Sequence, residues 1–130
     1  MIDNAIEIYI HIPFCVQKCR YCDFLSAPSD ENTRFDYISA LKREIVKESR
    51  NYCEYEVVTV FFGGGTPSIL DAAQINEVLA KIRGYYRLAA NAEITLELNP
   101  GTASYEKLCE LKAAGINRLS IGLQSTWNEE

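Results

Sequence analysis

No stretch of this chain is long and apolar enough to read as a membrane span. The longest run without a charge, Val57 to Leu70, is broken by Thr59, three glycines and Pro67, whereas a span needs about 20 mainly apolar residues. A secretory leader is not expected either, because Asp3 and Glu7 stand where its basic segment would be. Excess positive charge is absent: 13 basic against 18 acidic side chains leave a net charge of −5. Such a chain has no broad pull on nucleic acid or anionic lipid, which argues against both as partners. Low-complexity tracts and close repeats are lacking, and there is one histidine. What remains is a globular composition, 48% apolar and 24% charged over 130 residues. That suits one domain at most, able to bury roughly two thirds of its unfolded surface. The expected location is cytoplasmic. Five cysteines in a reducing compartment point to metal binding or redox chemistry before structural disulfides.

An alternation of element patterns runs along the chain. Residues 7–12 (EIYIHI) put Ile8, Ile10 and Ile12 on one face of a strand, with Tyr9 and His11 on the other. Residues 57–62 (VVTVFF) are apolar on both faces, as in a strand covered on both sides. Residues 93–98 place Ile94, Leu96 and Leu98 opposite Thr95 and Glu97, and residues 117–122 place Leu119 and Ile121 opposite Arg118 and Ser120. Between them lie three helix patterns. The first, about 34–50, carries Ile38, Leu41 and Ile45; the second follows an Asp71–Gln74 capping box and is expected to stop at Gly84. The third runs from about Ser104 to Gly115, a C′ glycine backed by Ile116. The order β-α-β-α-β-α-β implies an α/β fold of parallel strands. Residues 127–130 read as the start of a further helix, so the chain is expected to be the N-terminal piece of something longer.

In such folds the loops at the carboxyl ends of the strands build the site, and here those loops hold the unusual residues. Cys15, Cys19 and Cys22 form a CxxxCxxC set after the first strand. Iron–sulfur clusters usually take four cysteines, so three would leave one iron of a four-iron cluster open to a ligand. The alternative is zinc completed by His11, Cys53 or Cys109. Gly63, Gly64, Gly65, Thr66 and Pro67 follow the second strand. This run lacks the Lys-Ser/Thr of a Walker loop and the spacing of a dinucleotide fingerprint, and it fits a ligand-binding loop and a tight turn equally. Glu97, on a strand end, is placed to accept bonds from ribose hydroxyls. His11 reads as a hydrogen-bonded structural residue. Cys53 and Cys109 read as small apolar fillers, and Tyr52, Tyr55, Tyr85 and Tyr86 as packing at helix ends.

YIHIPFCVQKCRYCDF followed by FFGGGTPS, EITLELNPGT and GINRLSIGLQS resembles the radical S-adenosylmethionine (SAM) superfamily. Within it, the pattern is similar to the branch of oxygen-independent coproporphyrinogen III oxidase and the HemW-type heme chaperones. The resemblance covers nearly the whole chain. It implies the N-terminal part of a partial (β/α)6 barrel, with a 4Fe–4S cluster on Cys15, Cys19 and Cys22 whose open iron chelates S-adenosyl-L-methionine. An electron from the reduced cluster then cleaves the sulfonium, giving a 5′-deoxyadenosyl radical. By matching motif, Tyr9, Gly64 and Glu97 would contact that S-adenosylmethionine. Tyr21, Gly65, Thr66 and Gln124 match positions for a second one. No residue is assigned a catalytic role of its own.

Two departures matter. The oxidase pattern resembles CxxxCxxCxC, and here Phe24 stands at the last position. That resembles the chaperone group and implies heme binding and delivery to an acceptor protein, with an electron donor such as flavodoxin or ferredoxin, and heme or a porphyrinogen as ligand. The resemblance also implies two further β/α units and a C-terminal domain, which are expected to lie outside these 130 residues. The first and fourth strands are then open edges, with one face of an apolar sheet uncovered, and the isolated piece is expected to be poorly soluble or molten.

Overall fold

The computed structural model describes residues 4–15, 27–28 and 30–121 of the 130-residue chain. Strand β1 (Ala5–Ile12) leads into a two-residue strand β2 (Phe14–Cys15), which pairs in parallel with β3 (Ala27–Pro28). Helix α1 (Glu31–Glu48), strand β4 (Glu56–Gly64), helix α2 (Ala72–Tyr85), strand β5 (Arg87–Leu98), helix α3 (Tyr105–Ala114) and strand β6 (Arg118–Ile121) follow. The main sheet has the order β1-β4-β5-β6, every pairing parallel. Each new strand adds on the same side, and α1 packs on α2 and α2 on α3. That is the winding of a β/α barrel segment; a doubly wound sheet would reverse direction.

The helix ends follow local chemistry. Asp30 caps α1 by accepting the Thr33 N–H at 2.8 Å, so the helix begins three residues before the expected Arg34. At α2 the Gln74 side chain accepts the Asp71 N–H at 3.0 Å, completing the capping box. Ser104 caps α3 through the Lys107 N–H. Gly115 closes that helix at φ +122°, with the Ile116 N–H returning to the Leu111 carbonyl. Gly84 is not the stop of α2. It lies inside the helix, and a Cβ there would meet nothing within 4 Å. The chain turns extended at Tyr86 and enters β5 one residue later.

Strand β5 is longer than its regular 93–98 segment. Arg87 and Leu88 pair with Glu56 and Val57, then the register jumps so that Glu93 faces Thr59. Asn117 satisfies the irregular stretch: its side chain donates to the Ala92 carbonyl at 2.9 Å and accepts the Ile94 N–H at 2.8 Å. Asn117 therefore precedes β6 and docks on β5 through its side chain.

The core lies between the sheet and the helix layer. Ile10, Ile12, Val57, Val60, Phe62, Ile94 and Leu96 face Ile38 and Ile45 of α1, Ile75, Val78, Leu79 and Ile82 of α2, and Leu111 of α3. Full burial of each such side chain stabilises by about 1.5–3 kcal/mol. The opposite face is largely polar: Tyr9, His11, Thr59, Glu93, Thr95, Glu97, Arg118 and Ser120 alternate with the core residues, with Phe61 among them stacked on Tyr9. On β6, Leu119 and Ile121 are 38% and 50% exposed, so apolar exposure at this edge is local. No helix among the described residues is long and apolar enough to cross a membrane.

Candidate cofactor site

The carboxyl ends of β1, β4 and β5 bring the polar residues of the inner face together. Register sets Tyr9 beside Phe61, His11 beside Gly63, Ile12 beside Gly64, and Glu97 beside Ser120. The rings of Tyr9 and Phe61 stack with centroids 6.0 Å apart and planes 17° apart. The Tyr9 hydroxyl lies 3.2 Å from His11 Nδ1, and the imidazole tautomer sets which group donates. His11 is thus hydrogen-bonded, as expected. Glu97 reaches across β4, where its Oε1 accepts the Gly64 N–H at 3.1 Å. Partial burial, followed by the negative charge of Glu97, raises the Tyr9 phenol above its ordinary pKa.

Glycine is required here for two reasons. Gly64 adopts φ +117°, and a Cβ on it would stand 2.7 Å from the Ile12 carbonyl oxygen and 3.0 Å from the His11 ring. A Cβ on Gly63 would meet Phe61 at 2.9 Å and Tyr9 at 3.0 Å. At both positions the chain's own rings and backbone take the space a side chain would need, so this cradle is closed to any residue but glycine. Beyond it, the Gly65 N–H donates to the Ile12 carbonyl at 2.8 Å and the Thr66 N–H to the Phe14 carbonyl. The amides of Gly65 and Thr66 therefore tie the glycine loop to the start of the cysteine segment. Tyr37 of α1 secures the same junction. Its hydroxyl donates to the His11 carbonyl, and its ring meets Phe14 edge-on at 5.3 Å. Burial, then the charge of Glu44, raises the Tyr37 pKa.

Sequence reading missed a second connection between the same two loops. Ser68, 1% exposed, accepts the Asn99 N–H at 3.0 Å and shares a hydrogen bond with the Thr102 hydroxyl. Thr102 also donates to the Asn99 carbonyl at 2.7 Å, and Asn99 Oδ1 accepts the Gly101 N–H. The Lys107 ammonium donates to the Ser68 carbonyl; its burial lowers its pKa. The available signal was two Ser/Asn/Thr-containing turns at neighbouring strand ends, PSI and NPGT.

Of the expected metal ligands, the backbone of Cys15 closes β2, while Cys19 and Cys22 lie outside the described residues. Tyr21, Phe24 and Gln124 lie outside them too. Among the described residues, no three His, Cys, Asp or Glu side chains converge as a metal site. Cys53 and Cys109 are exposed free thiols, not core fillers. Of the tyrosines, Tyr86 packs and donates to the Ile45 carbonyl at 2.9 Å, and Tyr52 meets Tyr55 edge-on. Tyr85 is 48% exposed beneath the Lys81 ammonium. A groove of about 610 Å³ between α2 and α3 lies in the outer helix layer and contains none of the expected ligand contacts.

A glycine cradle, a carboxylate and a tyrosine converge at a strand-end mouth beside the cysteine segment. Residues 9–129 match the family model of the radical SAM superfamily, and the chain belongs to that superfamily. It is 44% identical over 126 residues to the Escherichia coli heme chaperone HemW, covering 96% of this chain and 33% of the relative. The E. coli oxygen-independent coproporphyrinogen III oxidase is 34% identical over 129 residues, 98% of this chain and 28% of the relative. A solved structure described as coproporphyrinogen III oxidase (HemN) from E. coli, a radical SAM enzyme, superposes with a TM-score of 0.86 at 32% identity, covering 95% of this chain and 29% of the other. The chain thus spans about a third of the length of the curated relatives it matches. Membership implies S-adenosylmethionine and a 4Fe–4S cluster as cofactors. The residues present fit them: the Glu97 carboxylate stands at the mouth as an acceptor, already taking the Gly64 N–H, and three cysteine thiolates would suit iron.

Proposed function

We propose that this chain is the N-terminal portion, residues 1–130, of a radical SAM core domain, and that the protein carrying it is a heme chaperone. Such a protein binds heme and delivers it to an acceptor protein. The observation that carries the subtype is Phe24, two positions after Cys22, where the oxidase pattern has a further cysteine. The 44% identity to a protein named heme chaperone, against 34% to one named oxidase, supports the same choice. The runner-up is coproporphyrinogen III oxidase, supported by the structural match. The third reading, a zinc-stabilised interaction module, has no support from the family match.

Cys15, Cys19 and Cys22 hold the cluster in this reading. Tyr9, Gly64 and Glu97 contact the S-adenosylmethionine on it. When bound and reduced, the pair supplies reductive cleavage of the sulfonium. The chain's own residues bind and orient: the Gly64 backbone lets the ligand approach, Glu97 accepts its hydroxyls, and the Tyr9–Phe61 stack forms an apolar wall. Tyr21, Gly65, Thr66 and Gln124 form a second, subsidiary ligand set. The amides of Gly65 and Thr66 already serve the Ile12 and Phe14 carbonyls, so in that set Thr66 offers its hydroxyl. A flavodoxin or ferredoxin supplies the electron, and the thiolates and reduced cluster suit the cytoplasm.

The test uses the full reading frame, loaded anaerobically with iron and sulfide. Coproporphyrinogen III, S-adenosylmethionine and a reductant are added, and the porphyrin is weighed by mass spectrometry, with heme binding titrated separately. An unchanged porphyrinogen together with heme binding is expected. Loss of the propionate carboxyls as carbon dioxide would make the protein an oxidase.

A further inference from the structure

The two loops that form the cradle are joined twice. One join is the Gly64 N–H to Glu97 bond on the inner face. The other is the Ser68 hydroxyl on the buried side, which accepts the Asn99 N–H and shares a hydrogen bond with the Thr102 hydroxyl while Lys107 holds the Ser68 carbonyl. The two joins differ in one respect that matters for ligand binding. Glu97 faces the mouth, so any ligand hydroxyl that bonds to its carboxylate competes with the Gly64 N–H or shares an acceptor with it. Ser68 is 1% exposed and has no access to a ligand, so its bonds persist whatever occupies the mouth.

We propose that Ser68, with Thr102 and Lys107, is a positioning brace that keeps the glycine loop and the end of β5 in ligand-binding register when Glu97 turns to its ligand. The proposal rests on the reading of Tyr9, Gly64 and Glu97 as S-adenosylmethionine contacts. The geometry suits the role. Ser68 lies four residues after Gly64, and Asn99 two after Glu97, so each brace partner sits on the segment that carries a ligand contact. The brace also spans three elements, the turn Pro67–Ile69, the turn Pro100–Thr102 and helix α3, so neither loop slides without breaking a buried bond. An unsatisfied buried donor or acceptor is costly, which makes the register sharply defined.

The test uses the full reading frame with its cluster loaded. Ser68→Ala, Thr102→Val and Thr102→Ser are compared with the unmodified protein. Iron and sulfide content, thermal midpoint, the dissociation constant for S-adenosylmethionine by anaerobic equilibrium dialysis, and the shift of the reduced-cluster EPR signal on adding it are measured. Ser68→Ala and Thr102→Val are expected to keep full iron and sulfide yet bind S-adenosylmethionine about five- to tenfold more weakly, one lost hydrogen bond's worth, with a diminished EPR shift. Thr102→Ser, which keeps the hydroxyl, is expected to bind as the unmodified protein does. A lowered midpoint with an unchanged dissociation constant makes the network structural only and overturns the proposal, as does a loss of iron in step with the loss of binding. If the unmodified protein itself fails to bind S-adenosylmethionine, the cofactor reading fails first. If it binds and both hydroxyl-deleted variants bind equally well, the brace alone fails.

Discussion

Three glycines give alanine substitutions with different outcomes, and the structure fixes the order. Gly64 sits at φ +117°, a conformation that costs an alanine about 1–3 kcal/mol. Its new Cβ would also stand 2.7 Å from the Ile12 carbonyl. That neighbour is backbone of the β1–β4 junction, so relief needs a strand shift, adding about 1–3 kcal/mol of overpacking. Gly64→Ala is therefore expected to destabilise by about 2–6 kcal/mol. Gly63 has no positive φ, and its Cβ would press on the Phe61 and Tyr9 rings at 2.9 and 3.0 Å. Those rings can rotate, so Gly63→Ala costs about 1–2 kcal/mol and displaces the Tyr9–Phe61 stack. Gly84 is helical and exposed with nothing within 4 Å, so Gly84→Ala is expected to stabilise by about 0.5–1 kcal/mol. Urea unfolding of the full reading frame, followed by circular dichroism, reads all three. A Gly64→Ala loss under about 1 kcal/mol, or a destabilising Gly84→Ala, would refute the reasoning from backbone conformation and space.

Other outcomes follow from the same geometry. Glu97→Gln keeps an acceptor for the Gly64 N–H but removes the charge, so the Tyr9 phenol should titrate closer to its ordinary value in an ultraviolet pH titration; an unmoved Tyr9 would place the Glu97 charge elsewhere. Tyr37 and Tyr86 are held protonated above the ordinary phenol value of about 10, burial being the first cause for each. The stability this confers is full below that pH and falls as pH rises toward the folded value, so Tyr37→Phe should flatten the alkaline limb of a stability–pH curve. Asp30 is depressed by its bond from the Thr33 N–H, so its contribution holds above about pH 4 and is lost as pH falls; Asp30→Asn should keep the cap and remove that dependence. Phe62 is fully buried, and Phe62→Ala should cost about 3–5 kcal/mol in the same urea assay.

Local chemistry was readable directly from the residues. Period-two runs placed Ile8, Ile10 and Ile12 inward and Tyr9 and His11 on the other face, because a strand's side chains alternate whatever surrounds them. The caps at Asp71, Ser104 and Gly115 depend only on residues within one turn. The glycine run and Glu97 marked one end of the sheet, since parallel α/β folds put such loops there. Long-range pairing was not readable. Asn117 docks on Ala92 and Ile94, which lets Ala-rich residues 87–92, without strand propensity of their own, extend β5. Gly84 looked like a stop because glycine often is one, yet the helix ends where Tyr86 packs toward Ile45 of α1. The Gly64–Glu97 bond and the Ser68 network join residues 31 to 39 positions apart. Their partners are chosen by sheet order and register, which come into being only when the core closes and buried polar groups must find one another.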